Sequence, residues 1–243
     1  AFEGIRAYET DDGTRIFKPI EHFKRLLYSC DKLHIKLNYT VEELTDISYE
    51  LIRQNHLKNA YLRPLVFAGD NLSLTPSNSH NIFIGAMSWA VYYGDKQTRL
   101  MTSSYSRISP SSFHVDTKVT GQYVNAILAT REAKSKGYDE ALLLDQNGFV
   151  SQCAASNFFF ERDNVIYTPE VGNIFPGITR STVIEIAKYL GYDVVEGKIR
   201  PEDLIDIDGA FSTGTAAQVA GIVSIDGKGF RKKWDGTIGY ELT

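Results

Sequence analysis

The chain has 243 residues, 43% of them hydrophobic and 12% aromatic, which is enough for one large or two modest globular domains and too apolar for a disordered or coiled-coil chain. A formal net charge of -4 and a sequence pI near 5.8 supply no general field for nucleic acid or an anionic membrane, so phosphate recognition must be local and the ligand small. Two cysteines, Cys30 and Cys153, make neither a disulfide framework nor a zinc pattern, the five histidines lack paired ligand spacing, and the absence of long apolar runs excludes a membrane-spanning helix.

After the first strands, Pro19 opens an apolar series at Ile20, Phe23, Leu26, Leu27, Cys30 and Leu33. This is the spacing of one helix face, with proline where its missing N–H costs nothing. Thr40 and Glu43 read as a capping box ahead of a second helix bearing Leu44, Ile47 and Leu51. Ala60 to Phe67 and Asn81 to Met87 read as strands, and Pro64 in the first of them predicts a sheet edge or a bulge. Periodicity fades between Ser88 and Thr98, where Tyr92-Tyr-Gly-Asp95 reads as a linker. The expected division is therefore a small domain over 1–90, a linker over 91–97 and a larger domain over 98–243. The larger domain starts with a strand near Leu100, a helix from Gln122 to Ser135 stopped by Gly137, and a strand from Glu140 to Leu144 that enters the turn Asp145-Gln-Asn-Gly148. Short strands follow at Asn157–Glu161, Val165–Tyr167, Asp193–Val195, Ala210–Ser212 and Ile222–Ile225, mostly as hairpins, with a helix from Ser181 to Leu190 closed by Gly191. The class is α+β, without internal repeats.

Lys118 lies in His114-Val-Asp-Thr-Lys-Val-Thr-Gly-Gln-Tyr123, among small residues and a tyrosine rather than other charges. An amine so placed is suited to holding a carbonyl cofactor as a Schiff base, although any single lysine ahead of a helix also fits a solvated surface position. Two later segments shift that balance. Gly177-Ile-Thr179 lies between Pro176 and a helix, where backbone N–H groups and the Thr179 hydroxyl can converge on an anion, or where Thr179 simply caps the helix. Thr213-Gly-Thr-Ala-Ala217 has side chains small enough for its amides to approach a ligand, or to make a tight turn. Lysine, anion cup and small-residue loop together point to pyridoxal 5'-phosphate, with Tyr123 near the ring oxygen. Arg25 either adds charge to the phosphate site or is solvated. Arg63, inside the apolar Tyr61-Leu-Arg-Pro-Leu-Val-Phe67, needs a ligand or an ion-pair partner.

These segments, with Phe2-Glu-Gly-Ile-Arg-Ala-Tyr8, Glu21-His-Phe-Lys-Arg-Leu26 and Gly137-Tyr-Asp-Glu-Ala141, together resemble the branched-chain amino acid aminotransferases of the class IV, fold-type IV pyridoxal phosphate enzymes, in the family's order over nearly the whole chain. The resemblance implies two lobes, a small α/β lobe and a larger lobe with a barrel-like mixed sheet. The implied reaction moves the amino group of a branched-chain L-amino acid to 2-oxoglutarate. A D-amino acid transaminase, an aminodeoxychorismate lyase and a weakly active or non-catalytic relative are the alternatives. By this resemblance Lys118 forms the Schiff base and moves the proton, Tyr123 contacts the ring oxygen, and Arg25, Ile178, Thr179 and Thr215 hold the phosphate. Tyr61 and the Thr215 and Ala216 amides receive the α-carboxylate, Arg63 and Tyr92 the distal carboxylate, and Phe2, Gly4 and Tyr92 shape the apolar pocket. The resemblance also implies small-molecule amino acid and 2-oxo acid substrates and a homodimer or higher homo-oligomer, while charge, ligand spacing and hydropathy lead us to expect no metal, nucleic acid or membrane partner, and the cysteine usage makes a cytoplasmic location the default.

Two departures from the family pattern stand out. Ser151-Gln-Cys-Ala-Ala-Ser-Asn157 places Gln152 where the family has a glutamate facing the pyridine nitrogen. An amide offers no charge to keep that nitrogen protonated, so it either weakens the electron sink or accepts the N–H well enough. Family members also extend beyond both ends, and the start at Ala1 without methionine leads us to expect a further N-terminal segment.

Overall fold

The computed structural model describes every residue except 71, 73, 75–78 and 90–95. Contacts divide the chain into two units: Ala1–Tyr92 with Thr117–Thr120, and Tyr93–Asp116 with Gly121–Thr243. The segment that carries Lys118 thus belongs with the first unit, although its sequence neighbours on both sides belong to the second. Most of the expected linker lies outside the described residues.

In the first unit, strands β1 (Ile5–Thr10), β2 (Gly13–Ile16), β3 (Ala60–Ala68) and β4 (His80–Ser88) form an antiparallel sheet in the order β2-β1-β3-β4. Helix α1 (Pro19–Lys32) has Pro19 in its first turn, and α2 (Val41–Gln54) starts with the expected Thr40–Glu43 capping box, with both hydrogen bonds present. A cap of this kind stabilises a helix by about 1 kcal/mol. The inward faces of these elements meet in a core of Ile5, Ala7, Phe23, Leu26, Leu44, Ala60 and Leu62.

Pro64 does not lie at an edge or in a bulge. It pairs with Ile84 in an unbroken β3–β4 ladder, and β3 has β1 on its other side. Its missing N–H falls at the rung opposite Glu3, where regular β1 pairing has given way to single bonds: Glu3 N–H to Pro64 O at 2.9 Å and Val66 N–H to Ala1 O at 2.8 Å. An inner strand thus accommodates proline where only one neighbour loses a rung.

In the second unit, eight strands form a mixed sheet in the order β10-β9-β8-β11-β12-β5-β6-β7. They are β5 (Thr98–Thr102), β6 (Glu140–Leu144), β7 (Val150–Cys153), β8 (Asn157–Arg162), β9 (Val165–Pro169), β10 (Asp193–Gly197), β11 (Gly209–Gly214) and β12 (Gln218–Ile225). Hairpins dominate less than the sequence implies, because β9–β10, β5–β6 and β5–β12 are parallel pairs. Helix α3 (Tyr123–Ser135) connects β5 to β6, α4 (Ile178–Tyr189) connects β9 to β10, and the short α5 (Ile238–Glu241) follows β12.

The three consecutive phenylalanines of β8 are all buried because both faces of the sheet are covered. Phe158 and Phe160 enter a core with Leu100, Leu142 and Ile222, while Phe159 enters another with Val183, Ile184 and Ala187 of α4. There it stacks on Phe211 at 4.9 Å between centroids. Each such ring stabilises the fold by about 1.5–3 kcal/mol through burial alone. Ala126, Ala129 and Ala133 give α3 a flat face that packs on Ala141 and Leu143 of β6. Among the described residues no helix is long and apolar enough to cross a membrane, and no group of metal-ligating side chains is found.

Candidate active site

Strand periodicity sorts the first unit's residues. Ile5 and Ala7 of β1 and Ala60 and Leu62 of β3 point into the core, so Gly4, Arg6, Tyr61 and Arg63 lie on the opposite face, with Arg6 directly across from Tyr61. Phe2 pairs with Leu65 in the same register and shares that face. Arg63 Nη2 donates to Tyr61 Oη at 2.7 Å, and the Arg63 guanidinium lies 5.0 Å from the Phe2 ring and 5.2 Å from the Tyr61 ring. Lys118 Nζ lies 5.1 Å from the Phe2 ring. Five predicted residues, Phe2, Gly4, Tyr61, Arg63 and Lys118, are therefore brought together, as an amine and a guanidinium beside an aromatic wall. Tyr92 lies outside the described residues.

Arg63 itself is exposed, not enclosed by the apolar residues that surround it in sequence, because β3 alternates and position 63 faces away from the core. Its contacts are a phenol and two rings rather than the ion pair considered from sequence. Arg6, which sequence reasoning passed over, is 4% exposed on the same face, with Nε and Nη1 lacking hydrogen-bond partners. A buried cation with open donors is costly unless an anionic group meets it.

Gly4 is required by close approach, since a Cβ there would meet Tyr61 Oη at 2.0 Å. Gly4→Ala is expected to push the Tyr61 hydroxyl away from Arg63 and to raise KM for a carboxylate that this guanidinium would receive about tenfold, at a stability cost of roughly 1–3 kcal/mol. Steady-state kinetics beside thermal unfolding checks both effects, and an unchanged KM would refute the expected displacement.

Arg25 is neither solvated nor without a partner. Its Nε and Nη2 donate to the two oxygens of Glu3 at 2.7 and 2.9 Å, and His22 Nδ1 lies 2.8 Å from Glu3 Oε2. Burial alone would push the Glu3 carboxyl up, but the Arg25 charge and the hydrogen bonds from His22 and Arg25 outweigh it and hold the group at about 2. An ionised carboxylate only accepts, so His22 Nδ1 carries the hydrogen. Burial lowers the His22 pKa, opposed by Glu3. Sequence reasoning did not single out Glu3, yet a signal existed. Its parity with Ile5 and Ala7 puts a carboxylate on the core-facing side of the strand, where it must be paired.

In the second unit the contacts converge on Asn157. Its Nδ2 donates to Phe175 O at 2.8 Å, and Phe175 N–H donates to Gln152 Oε1 at 2.7 Å. A Cβ at Gly177 would meet Asn157 Oδ1 at 2.1 Å, so only glycine lets the start of α4 come this close. Gly177 is the N-cap and gives no side-chain hydrogen bond, which places Thr179 inside the first turn and not at the cap. The helix also starts three residues before Ser181. The Ile178, Thr179 and Arg180 N–H groups are thereby left at an uncapped helix start, the arrangement that binds anions.

Thr213 pairs with Asn157 across β11 and β8, and it shares with Phe211 the sheet face that α4 covers. It is 1% exposed, and its hydroxyl lacks a hydrogen-bond partner. Thr215 and Ala216 form the turn that joins β11 to β12. Tyr123 opens α3 beside Arg107, whose Nη2 reaches Val115 O at 3.4 Å and Gln122 Oε1 at 3.3 Å. An uncapped helix start and a buried threonine hydroxyl without a partner together fit a phosphate group.

Gln152 is 5% exposed. The Phe175 N–H fixes its amide orientation, so Nε2 faces Cys153 O at 3.1 Å. Gln152→Glu would set a carboxylate oxygen against that carbonyl. Its expected cost is roughly 1–3 kcal/mol in the protein without cofactor, with recovery on cofactor binding. Paired melting curves test this, and equal melting temperatures for parent and variant without cofactor would contradict it.

Residues 1–225 match the family model described as amino-transferase class IV. The chain is 40% identical over 227 residues to a probable branched-chain-amino-acid aminotransferase of Rickettsia felis, covering 93% of this chain and 77% of that protein. It is 38% identical over 233 residues to the branched-chain-amino-acid aminotransferase of Pseudomonas aeruginosa, covering 93% and 76%. Among solved structures, the branched-chain amino acid aminotransferase from Thermobaculum terrenum in its PLP-form, the holo-form, matches with a TM-score of 0.94 at 30% identity, covering 99% of this chain and 81% of that one. The branched-chain aminotransferase of Thermoproteus uzoniensis with norvaline matches with a TM-score of 0.94 at 35% identity, covering 99% and 82%.

Proposed function

The chain belongs to the amino-transferase class IV family, and on that premise we propose that it transfers the amino group of a branched-chain L-amino acid to 2-oxoglutarate, with pyridoxal 5'-phosphate carried on Lys118. The observation that carries this reading is the meeting of Phe2, Tyr61 and Arg63 on one sheet face with the Lys118 amine against Phe2. That group offers an amine for chemistry, an aromatic wall for an aliphatic side chain, and a guanidinium for a second carboxylate.

Pyridoxal phosphate supplies, when bound, an aldehyde carbon for the amino group and a ring that withdraws the electron pair left at the substrate Cα. Ile178, Thr179 and Thr215, with Arg25, are the residues assigned to its phosphate, Tyr123 to its ring oxygen and Gln152 to its ring nitrogen. Lys118 Nζ would act first as the amine that holds the cofactor and then, released by the incoming amino acid, as the base that takes the proton from the substrate Cα and delivers it to the cofactor's aldehyde carbon. The Tyr61 hydroxyl and the Thr215 and Ala216 N–H groups are assigned to orienting the α-carboxylate. Phe2 and Gly4 bound the side-chain pocket and keep water from it.

One pocket must serve two substrates, an aliphatic side chain in one half-reaction and a carboxylate in the other. Arg63 lies over aromatic rings and is bonded to a phenol, not to an acid, so its charge remains available to an incoming carboxylate while its flat face adds to the apolar wall. Tyr92 is assigned to the same role. The same reading takes the enzyme to be a cytoplasmic homodimer or higher homo-oligomer, which light scattering at micromolar concentration would check.

An amino-donor panel in both enantiomers, with 2-oxoglutarate as acceptor, tests the function. Glutamate formation from L-leucine, L-isoleucine and L-valine is expected. Preference for D-alanine, or pyruvate release from aminodeoxychorismate, would overturn it.

A further inference from the structure

We propose that Ser29, a buried serine inside α1, is a positioning residue that holds Lys118 in place for its chemistry; this rests on the role of Lys118 given above. Lys118 lies in neither helix nor strand, so regular secondary structure does not fix its backbone. Two hydrogen bonds do: Lys118 N–H donates to Ser29 Oγ at 2.9 Å, and Phe2 N–H donates to Lys118 O at 3.0 Å. The flanking Thr117 and Val119 are 2% and 9% exposed, so the backbone here is packed on both sides of the lysine.

Ser29 is completely buried and looks self-sufficient from sequence, because a helical serine satisfies itself by bonding back one turn. It does so here, donating to Arg25 O at 2.8 Å. That bond also fixes the hydroxyl's direction, so its lone pairs are presented to the N–H of a residue 89 positions further along the chain. The result is a closed circuit. Lys118 N–H bonds to Ser29, Ser29 to the Arg25 carbonyl, the Arg25 guanidinium to Glu3, and Phe2, next to Glu3, returns to the Lys118 carbonyl. With the Lys118 Cα held at both peptide groups, Nζ searches only the rotamers of its own four-carbon stem. The side chain thus starts each turnover from one origin beside Phe2.

Removing the hydroxyl leaves a partly buried N–H to shift or go unsatisfied. A displacement of the amine by about 1 Å costs on the order of 100-fold in rate when the geometry of proton transfer is tight. The test uses Ser29→Ala, Ser29→Thr and Ser29→Cys in the holoenzyme. It reads kcat, KM and the rate at which cofactor-stripped protein captures added pyridoxal phosphate, trapped by borohydride and located by mass on the Lys118 peptide. Ser29→Ala is expected to lower kcat and the capture rate by roughly 10- to 100-fold, with KM changed by less than about twofold. Ser29→Thr, which keeps the hydroxyl, is expected to recover both rates to within about threefold of the parent, a rescue that a packing role alone would not produce.

Parental kcat and capture in Ser29→Ala, or equal impairment in the alanine and threonine variants, would overturn the proposal. If Ser29→Ala does not fold, Ser29→Cys decides: its larger, weaker acceptor is expected to give intermediate capture, and parental capture would overturn the proposal. A parent protein that captures no cofactor on Lys118 would instead overturn the functional reading itself.

Discussion

Lys118→Ala is expected to lower transamination by at least roughly four orders of magnitude while leaving the fold in place. The loss is large because one atom, Nζ, is asked both to hold the cofactor and to move the substrate's Cα proton. The fold should survive because the circuit through Lys118 runs through its backbone N–H and carbonyl, which alanine keeps. Lys118→Arg is the sharper control. It preserves charge and much of the contact with Phe2, but a guanidinium does not give up its proton in a protein and cannot serve as base. Both variants should melt within a few degrees of the parent and show no product in single-turnover reactions. Residual activity of either variant near one per cent would mean that another group does the chemistry.

Glu3→Gln should do the opposite, damaging stability first. Glu3 is completely buried with both oxygens engaged, and removing one partner of a buried ion pair costs about 3–5 kcal/mol. For a chain of this size that is a fall in melting temperature of about 6–20 °C. The pH dependence follows from the same contacts. The carboxyl is held at about 2 in the folded protein against an ordinary 4.5, so its contribution is fully present above about pH 4.5 and is lost as pH falls toward 2. His22, whose pKa is lowered by burial, acts with the same sign, because its protonation also favours the unfolded chain. The variant should therefore show a flatter acid limb than the parent, and identical acid limbs would show that Glu3 is not ionised in the fold. Arg25, released from Glu3, should also hold the cofactor phosphate less well, which equilibrium dialysis of pyridoxal phosphate would detect.

Local signals made much of the fold legible. The Pro19 helix start, the Thr40–Glu43 capping box and the strands at Ala60 and Asn81 depend on residues within a few positions of each other, and the structure shows them where the pattern puts them. Pro64 shows the limit of local reading. Whether proline is tolerated in an inner strand depends on which neighbour each N–H faces, and that register is set by a strand nearly sixty residues away. The parallel pairs of the larger sheet escaped for the same reason, since a crossover and a hairpin look alike until partners are known.

Arg63 was conspicuous by type, as a charge inside an apolar run, whereas Phe2, Gly4 and Tyr61 entered only through the resemblance to the family and the supports behind them not at all. Glu3 hid behind an apolar run and Ser29 inside a helix, and Thr213 became conspicuous only when its buried hydroxyl was found without a partner. The inclusion of Lys118 in the first unit had no local signal at all, as its neighbours in sequence pack in the second.

Reduction of the holoenzyme with borohydride, followed by proteolysis and mass spectrometry, reads the attachment point of the cofactor directly. A phosphopyridoxyl group on the peptide that contains Lys118, lost when the enzyme is first converted by L-leucine, is the predicted result. The group on any other lysine, or a label on Lys118 that L-leucine leaves unchanged, would contradict it.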